Sequence, residues 1–324
     1  MNRAFSVASL MVVGLSLLLA CGPDFPRLNP VRQDNKQVTE EDNYGVIWHN
    51  GAYLIVGGSQ TSSDNPWSIS ASGTIFSWSD SGTWIGRTSG TTSTLYGVAY
   101  GDSQFVAVGD VGTILGSADG ISWSTRISAT TPALNGITYG GGQFVVAGDR
   151  GTILTSSDGN SWTIRNSGTT ELLNGIVFGG GKYVAVGYGD AIMSSPDGVT
   201  WTAYSSTAIP SLSGVAYGDS QFVAVGKNGT ILTSPDAGSW TIRSSGTSEF
   251  LNGATFGNGL FVVVGNNGTV LTSPDGTVWT GRNSGTSNVI NGVIYGKNQF
   301  LAVGTDGMVL TSADGVSWTV GSVK

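Results

Sequence analysis

Seven aspartates of this 324-residue chain recur so regularly that their chemistry can be judged from their positions. Carboxylates serve as acids and bases in glycoside hydrolysis and as ligands for hard cations. Here each aspartate is followed four residues later by a tryptophan, and successive pairs lie 39 residues apart. The pairs are Asp80 and Trp84, Asp119 and Trp123, Asp158 and Trp162, Asp197 and Trp201, Asp236 and Trp240, Asp275 and Trp279, and Asp314 and Trp318. One active site does not need seven copies of a residue pair, so the repetition indicates a structural role.

Other residues with catalytic or metal-binding chemistry are few. His49 is the only histidine and Cys21 the only cysteine, which leaves no histidine cluster for a metal and no intramolecular disulfide. Seven acids outside the repeated phrase are expected near one face of the molecule; they belong to six different repeats, and the sequence brings no two of them together. They are Asp64, Asp110, Asp149, Glu171, Asp190, Glu249 and Asp306. We therefore predict no catalytic residue, no metal and no cofactor.

The segments on either side of the aspartates have the residue pattern of short β-strands. One unit, residues 134–172, breaks into "NGITYG", "QFVVAG", "GTILTS" and "SWTIRN", each rich in β-branched or aromatic residues and bounded by Gly, Asp, Asn or Ser. Four strands in 39 residues leave room only for tight turns, which predicts a four-stranded antiparallel meander. A fixed period near 40 residues is typical of propellers and solenoids, and ring closure removes open sheet edges. The sequence predicts an all-β, seven-bladed β-propeller with no strand exchange between the first and last blades.

The repeated phrase "SSDGNSW" (156–162) suits the turn between the third and fourth strands. Its aspartate can accept hydrogen bonds from N–H groups two residues on, its glycine permits positive φ, and its tryptophan buries a large apolar surface. The phrase resembles the Asp-box, or BNR repeat, of sialidase-type propellers, although it is one residue shorter between Asp and Trp. The stretch "VGDRGTILTSSDGNSW" also resembles the repeats of photosystem II assembly-factor propellers. The resemblance covers nearly all of 44–324 and implies a fold.

The enzymatic residues of sialidases are not matched. Those enzymes need three converging arginines and an Arg-Ile-Pro motif, and this chain has no Arg-Ile-Pro. Its arginines occupy equivalent positions in five different repeats, three residues after the tryptophan, which favours a surface belt over a cluster. They are Arg87, Arg126, Arg165, Arg243 and Arg282.

The N-terminal segment resembles a bacterial lipoprotein signal. Arg3 precedes an apolar run at 7–19 that is too short to span a bilayer, and the run leads into Leu-Leu-Ala followed by Cys21. We predict a cleaved signal at 1–20, acylation of Cys21, a Pro-rich and polar tether over 21–43, and the propeller over 44–324. Acylation would place the domain outside the cytoplasm on a bacterial membrane, with the outer membrane or cell surface favoured.

The charge of the chain limits the classes of partner that it is expected to bind. The chain has a formal net charge of −7, only 11% charged residues and no Lys/Arg cluster. This composition argues against nucleic acid and against electrostatic docking on anionic lipid. We predict a monomer.

Function in a repeat protein is best sought where the repeat breaks. In the first unit, "YLIVGG" (53–58) lies 52 residues before the matching segment of the next repeat, whereas "GTIF" (73–76) lies only 39 residues before its match. Thirteen residues are therefore inserted within 59–72, and they include Asp64 and Trp67. The fourth unit departs in the turn and linker that carry Tyr188, Asp190 and Tyr204. Both sets are candidate binding residues on the face where the blades connect; the alternatives are a Trp67 folded back onto its own blade and drift in tolerant turns.

A third set recurs at the start of the innermost strands. Asn135, Asn174, Asn252 and Asn291 take this position, with Tyr44, Tyr96 and Ser213 in the other units. They are candidates to line the channel mouth and bind a polar ligand, or else to satisfy buried backbone groups. The function that the sequence favours is that of a non-enzymatic lipoprotein that binds a protein partner through the face carrying the insertion. The alternatives are a carbohydrate-binding or glycoside-cleaving propeller and a purely structural surface protein.

Overall fold

Seven separate four-stranded sheets make up the fold, as predicted. The computed structural model describes residues 39–49, 51–62, 69–78, 83–189, 191–204 and 209–323, with side chains described except at 39–43, 59–62 and 69–72. All of them belong to one structural unit, Gln37–Lys324. In every sheet the strands pair antiparallel in chain order, and the first strands of successive blades contact one another around a ring. The seven-bladed β-propeller predicted from the tryptophan spacing is confirmed.

The first blade is longer than the others. It consists of β1 (Thr39–His49), β2 (Ala52–Ser62), β3 (Ile69–Trp78) and β4 (Trp84–Arg87). The inserted residues extend the β2–β3 hairpin, with Ser59 paired to Ser72 and Ser62 to Ile69. This corrects the expectation of a loop over 59–72. Residues 39–43, placed in the tether by the sequence, belong to β1, because the extended β2 supplies backbone partners for them.

The other six blades repeat one plan. Blades 2 to 4 are β5 (Leu95–Gly101), β6 (Gln104–Gly109), β7 (Ile114–Ser117) and β8 (Ser124–Arg126); β9 (Leu134–Gly140), β10 (Gln143–Gly148), β11 (Ile153–Ser156) and β12 (Thr163–Arg165); β13 (Leu173–Gly179), β14 (Lys182–Gly187), β15 (Ile192–Ser195) and β16 (Thr202–Ala203). Blades 5 to 7 are β17 (Leu212–Gly218), β18 (Gln221–Gly226), β19 (Ile231–Ser234) and β20 (Thr241–Arg243); β21 (Leu251–Gly257), β22 (Leu260–Gly265), β23 (Val270–Ser273) and β24 (Thr280–Arg282); β25 (Ile290–Gly296), β26 (Gln299–Gly304), β27 (Met308–Ser312) and β28 (Thr319–Ser322). Short 3₁₀ turns join the second and third strands at Asp110–Gly112, Asp149–Gly151, Lys227–Gly229 and Thr305–Gly307.

Burial explains the strand sequences. The second strand of each blade lies between the neighbouring blades, so "FVVAG" of β10 is buried on both faces and reads as a continuous apolar run. The fourth strand is the outer edge, and Thr163 and Ile164 of β12 are exposed. The core therefore consists of separate apolar clusters at the blade-to-blade interfaces, arranged around the ring.

Glycine permits the closest blade-to-blade contact. The last residue of an innermost strand is glycine, and an aromatic ring of the next blade lies so near that any Cβ would overlap it: Phe178 on Gly140 and Phe256 on Gly218, for example. The ring closes in the same way, because Trp48 of blade 1 lies on Gly296 of blade 7. Side-chain packing between blades 1 and 7 therefore closes the ring at this point.

Closure uses no strand exchange, as predicted. Blade 7 takes all four strands from residues 290–322, and blade 1 begins with its own innermost strand. The hydroxyl of Tyr53 donates to the carbonyl of Gly296 at 2.5 Å, which adds one hydrogen bond across the seam. Five of the other six blades have phenylalanine at the position of Tyr53, so their interfaces rely on packing at this point.

His49 has a structural explanation. It ends β1, at the position that glycine takes in the other innermost strands, and its ring stacks on Tyr100 with centroids 3.3 Å apart. Burial lowers the pKa of His49 below its ordinary value of 6.5, which favours the neutral ring in this stack. The histidine thus replaces a glycine-on-aromatic contact at the interface of blades 1 and 2.

Candidate binding face

The turns that carry the repeated aspartates form one face of the ring, here called the Asp–Trp face. Oδ1 of Asp119 accepts hydrogen bonds from the N–H groups of Ile121 and Ser122, both at 2.8 Å, and from Oγ of Ser117 at 3.0 Å. The same three bonds recur around Asp158, Asp197, Asp236, Asp275 and Asp314. Asp80 lies outside the described residues. These carboxylates hold their own turns.

The tryptophans complete the turns. Nε1 of Trp201 donates to the carbonyl of Gly198 at 3.0 Å, and the ring of Trp162 lies 6.3 Å from that of Phe144 in the core. Links to the next blade also cross this face: Gln143 Nε2 donates to the carbonyl of Asp197 at 2.7 Å. Lys182, Gln221 and Gln104 make equivalent bonds to Asp236, Asp275 and Asp158. Most polar groups of the described Asp–Trp turns are thus used within the fold; the buried Nε1 of Trp162 is an exception, because it has no hydrogen-bond partner.

Acid is expected to unfold the ring through these turns. The N–H groups of Ser122 and Ile121 lower the pKa of Asp119 to about 2, and turn hydrogen bonds lower that of Asp158 below 3.8. A folded-state pKa below the unfolded value stabilises the fold above pH 4, and this contribution is lost as the pH falls toward 2. The urea midpoint should therefore drop over this window, less steeply in Asp158→Asn. The control Asp102→Asn alters an exposed turn residue and should keep the parent slope; equal slopes for all three proteins would contradict the assignment.

The opposite side of the ring, here called the connection face, carries the turns between second and third strands and the linkers between blades. Its turns share one backbone conformation: Arg150, Asn228 and Asp306 all have φ between 56° and 59° and are followed by glycine. The side chains at these tips differ from blade to blade, while the strands below them are nearly constant. The connection face therefore combines a uniform scaffold with variable tips.

The candidate channel-mouth residues lie at β-bulges. The ladder skips Asn135, Asn174, Ser213, Asn252 and Asn291, as well as Tyr44 and Tyr96. A bulge redirects a side chain, and here Nδ2 of Asn135 donates to the carbonyl of Leu173 in the next blade at 2.9 Å. Asn174 and Asn252 make the same bond to Leu212 and Ile290. These amides join neighbouring blades.

Two tyrosines interrupt this pattern. Tyr44 and Tyr96 contact each other edge to face, with centroids 5.5 Å apart, at the interface of blades 1 and 2. The hydroxyl of Tyr96 donates to the carboxylate of Asp110 at 3.0 Å, and Asn135 donates to Asp149 at the same distance. Blades 2 and 3 thus place two carboxylates beside the bulge residues of the connection face, Asp110 bonded to Tyr96 and Asp149 bonded to Asn135.

The other candidates are dispersed. Tyr188 lies at a turn of blade 4 and is 40% exposed. Tyr204 is half-buried against the core cluster that contains Leu212 and Leu232. Asp190, Asp64 and Trp67 lie outside the described residues. The two candidate tyrosines that are described, Tyr188 and Tyr204, therefore play different roles, one at the surface and one in packing.

The arginines lie over their own blades. Nε of Arg165 donates to Oγ1 of Thr155 at 2.8 Å, and Arg87, Arg243 and Arg282 make the equivalent bond to Ser77, Thr233 and Thr272. Arg126 differs, because Gly116 replaces the hydroxyl residue and the buried Nε of Arg126 has no hydrogen-bond partner.

Sequence reasoning missed the blade that contains Arg126. Beside it, Val111 is 70% exposed and Ile127 is 85% exposed. Val111 has φ of 55° and Ala129 φ of 59°, a conformation that costs L residues about 1–2 kcal/mol. Comparing "RISATTPAL" (126–134) with "RNSGTTELL" (165–173) shows the signal: apolar residues replace Asn, Gly and Glu at three neighbouring positions.

Within the described ranges, no group of three or more His, Cys, Asp or Glu side chains is arranged to hold a metal ion. Nor do these ranges contain a helix with the length and apolar character needed to cross a membrane.

Comparison with known proteins identifies structural relatives. The chain matches no protein-family model and no curated protein sequence. Among solved structures it resembles YCF48 from Cyanidioschyzon merolae, with a TM-score of 0.64, 15% identity, and coverage of 84% of this chain and 95% of that one. A structure of YCF48 bound to D1 peptide gives a TM-score of 0.58 and 23% identity over 71% of this chain and 81% of that one. The WD40 propeller of Doa1 gives 0.64 and 14%, over 86% and 96%. At these identities the likeness establishes the propeller fold.

Proposed function

We propose that this chain is a non-enzymatic, extracytoplasmic lipoprotein that binds a protein partner through the connection face. The observation that carries the proposal is the contrast between the two faces. Turn, tryptophan and interblade hydrogen bonds use most polar groups of the Asp–Trp face. The connection face varies at its tips on a constant backbone, which is how a rigid scaffold presents binding residues.

The solved relatives support this class of function. One of them is a propeller bound to a peptide, the D1 peptide in the YCF48 structure. In this chain the longest departure from the repeat, the extended hairpin of β2 and β3, lies on the connection face. The sequence between its two strands includes Asp64 and Trp67, and tryptophan is enriched among residues that dominate protein interfaces.

Membrane attachment belongs to the same proposal. The apolar run at 7–19 and Leu-Leu-Ala before Cys21 support cleavage at 20 and acylation of the cysteine. Residues 21–38 would then link the lipid to the propeller. Metabolic labelling with an alkyne fatty acid should mark the wild type and leave Cys21→Ser unlabelled; equal labelling of both proteins would contradict the anchor.

The partner is tested by crosslinking from native membranes. The blade-1 graft replaces residues 58–72 by Asn-Asn, the turn that Asn266 and Asn267 form in blade 6, so that blade 1 regains the ordinary repeat length. We expect a specific crosslinked protein with the wild type and its loss with the graft. The control Ile121→Ser/Val278→Ser changes two exposed residues of the Asp–Trp face and should retain the partner. Retention by the graft, or the absence of any protein partner, would contradict the proposal.

One observation favours a second candidate, carbohydrate binding. A depression of about 180 Å³ at the seam of blades 7 and 1 is lined by Trp78 and Trp84, whose rings lie 4.9 Å apart, together with Gln299, Thr311 and Thr319. Indole faces pack on sugar rings, and amide and hydroxyl groups bond their hydroxyls. Among the described residues that line it there is no carboxylate, so this site suits binding and offers no acid–base pair for cleavage. A glycan array with Trp84→Ala as control tests it.

A further inference from the structure

Blade 2 carries a coordinated set of apolar replacements. At four positions of the connection face the other blades have mostly polar residues or glycine, whereas blade 2 has Val111, Ile127, Ala129 and Pro132. We call these four residues the blade-2 patch. The residues at the same positions include Arg150, Asn166, Gly168 and Glu171 in blade 3, Asn228, Ser244, Gly246 and Glu249 in blade 5, and Asn267, Asn283, Gly285 and Asn288 in blade 6.

Folding does not require these replacements. Ile127 is 85% exposed, and Val111 and Ala129 adopt positive φ, where blades 5 and 6 use Asn and Gly, which tolerate it better. A β-branched side chain in this conformation and an exposed isoleucine beside it disfavour the isolated domain. The patch therefore points to a contact outside the fold.

The backbone opens a depression at the same place. In blades 3, 5 and 6 the turn glycine donates its N–H to a linker carbonyl: Gly151 to Glu171 at 2.7 Å, Gly229 to Glu249 at 2.8 Å, and Gly268 to Asn288 at 2.9 Å. Gly112 and Pro132, which both lie within the described ranges, are not joined by such a bond. A depression of about 710 Å³ lies between this turn and this linker, with the blade-2 patch on its walls.

Arg126 is one of the residues that line the depression. Arg126 has lost the hydroxyl partner that anchors the equivalent arginines, because Gly116 stands opposite it. Its NH1 group donates to Oγ of Ser124 at 2.7 Å, and its Nε has no acceptor. Nε is buried against Gly116, whereas the NH1 end of the guanidinium is exposed at Ser124. This exposed cationic end beside an apolar surface is complementary to a carboxylate.

We propose that the blade-2 patch docks an extended segment of a partner protein that presents an aliphatic or aromatic side chain next to a carboxylate. The apolar side chain packs on Val111, Ile127 and Pro132, and the carboxylate bonds Arg126. The recognised acid is a single local group, since a strongly acidic partner would be repelled by a chain of net charge −7. This inference rests on the proposed function, because the patch lies on the connection face, and it adds a recognition chemistry to it.

The test is a methyl-NMR titration of residues 39–324 with defined peptides. The probe is acetyl-Gly-Ser-Leu-Phe-Glu-Gly-amide; one matched peptide replaces Glu by Gln and another replaces Leu-Phe by Ser-Ser. We expect saturable shifts of the Ile127 and Val111 methyl groups with the probe, and binding about fivefold weaker with the Gln peptide. The Ser-Ser peptide should cause no shift.

Variants locate the site. Ile127→Asn/Ala129→Gly/Pro132→Glu restores the residues of blade 3, so it should fold at least as well as the wild type and lose the Val111 shift. Arg126→Gln should reduce probe affinity to that of the Gln peptide. Ile164→Ser removes an exposed isoleucine from blade 3 and should leave binding unchanged.

The remaining outcomes overturn the inference. They are no shift up to about 5 mM probe, shifts elsewhere on the ring, binding that survives the triple substitution, and concentration-dependent shifts without peptide, which would identify a second copy as the occupant. The blade-1 graft separates this inference from the proposed function. Loss of the crosslinked partner with intact peptide binding supports both. A partner captured by the wild type and lost by the graft, without peptide binding, overturns the patch alone.

Discussion

Deletion of residues 212–250, one complete 39-residue unit, is expected to abolish cooperative folding. The seven innermost strands contact one another in a closed circle, and each interface buries aromatic and β-branched side chains from two blades. Six blades of unchanged shape leave a gap, so Trp48 cannot reach Gly296. The loss is the whole folding free energy, about 5–15 kcal/mol for an ordinary domain. Urea titration followed by tryptophan fluorescence should show no sigmoidal transition.

A circular permutant serves as the control for chain alteration. It begins at residue 170, ends at residue 169 and joins residue 323 to residue 39 by a Gly-Ser linker, so it keeps seven blades. We expect it to unfold cooperatively. A deletion variant that stays monomeric and melts sharply near the parent midpoint would mean that the repeats stack as an open array, contrary to the ring.

Substitution of Gly218 by alanine is expected to destabilise the fold by about 3 kcal/mol, from overpacking at a blade interface. A Cβ at this position overlaps the ring of Phe256, which is itself packed on Phe261 at a centroid distance of 4.6 Å. Neither blade can move without disturbing the next one. The thermal midpoint should fall by roughly 6–12 °C in a domain of this size.

Gly281 provides the matched control. It also lies in a β-strand, and a Cβ there meets nothing within 4 Å, so Gly281→Ala should be neutral or slightly stabilising. In the double variant Gly218→Ala/Phe256→Ala the clash is gone, and the combined cost should be less than the sum of the single costs. Strict additivity would show that the ring of Phe256 does not cause the effect.

The regular portion of this fold was predictable because one physical solution is repeated. Trp162 and its equivalents mark the blades, and Asp158 and its equivalents the turns, so blade number and strand order follow from spacing alone. The irregular portion was not. Residues 39–43 and 59–62 are polar, and their strand pairing depends on each other's backbone, which no apolar pattern records. The same holds for His49, whose stacking on Tyr100 replaces a glycine contact that only the structure reveals.

The candidate site residues can likewise be divided into those that the sequence could predict and those that it could not. The bulges at Asn135 and Asn174 turn side chains toward the next blade, and bulge geometry has no signature in composition. The blade-2 patch did leave a signal in the sequence, because Ile127, Ala129 and Pro132 depart together from the repeat. It was overlooked because single hydrophobic residues in linkers are common, and because the costly feature, positive φ at Val111 and Ala129, is conformational.

The seam between blades 7 and 1 also has a mechanical consequence. β1 is hydrogen-bonded to β2 along its length, whereas it meets β25 in a separate sheet, without a shared ladder. Ladder hydrogen bonds lie perpendicular to the strands, so a force along β1 loads the β1–β2 ladder in shear and its bonds must rupture together. The side-chain contacts of the seam can instead break in succession. Under tension applied at Thr39, blade 1 should thus separate from blade 7 while blade 1 itself stays intact. The ring can close again when the load is released.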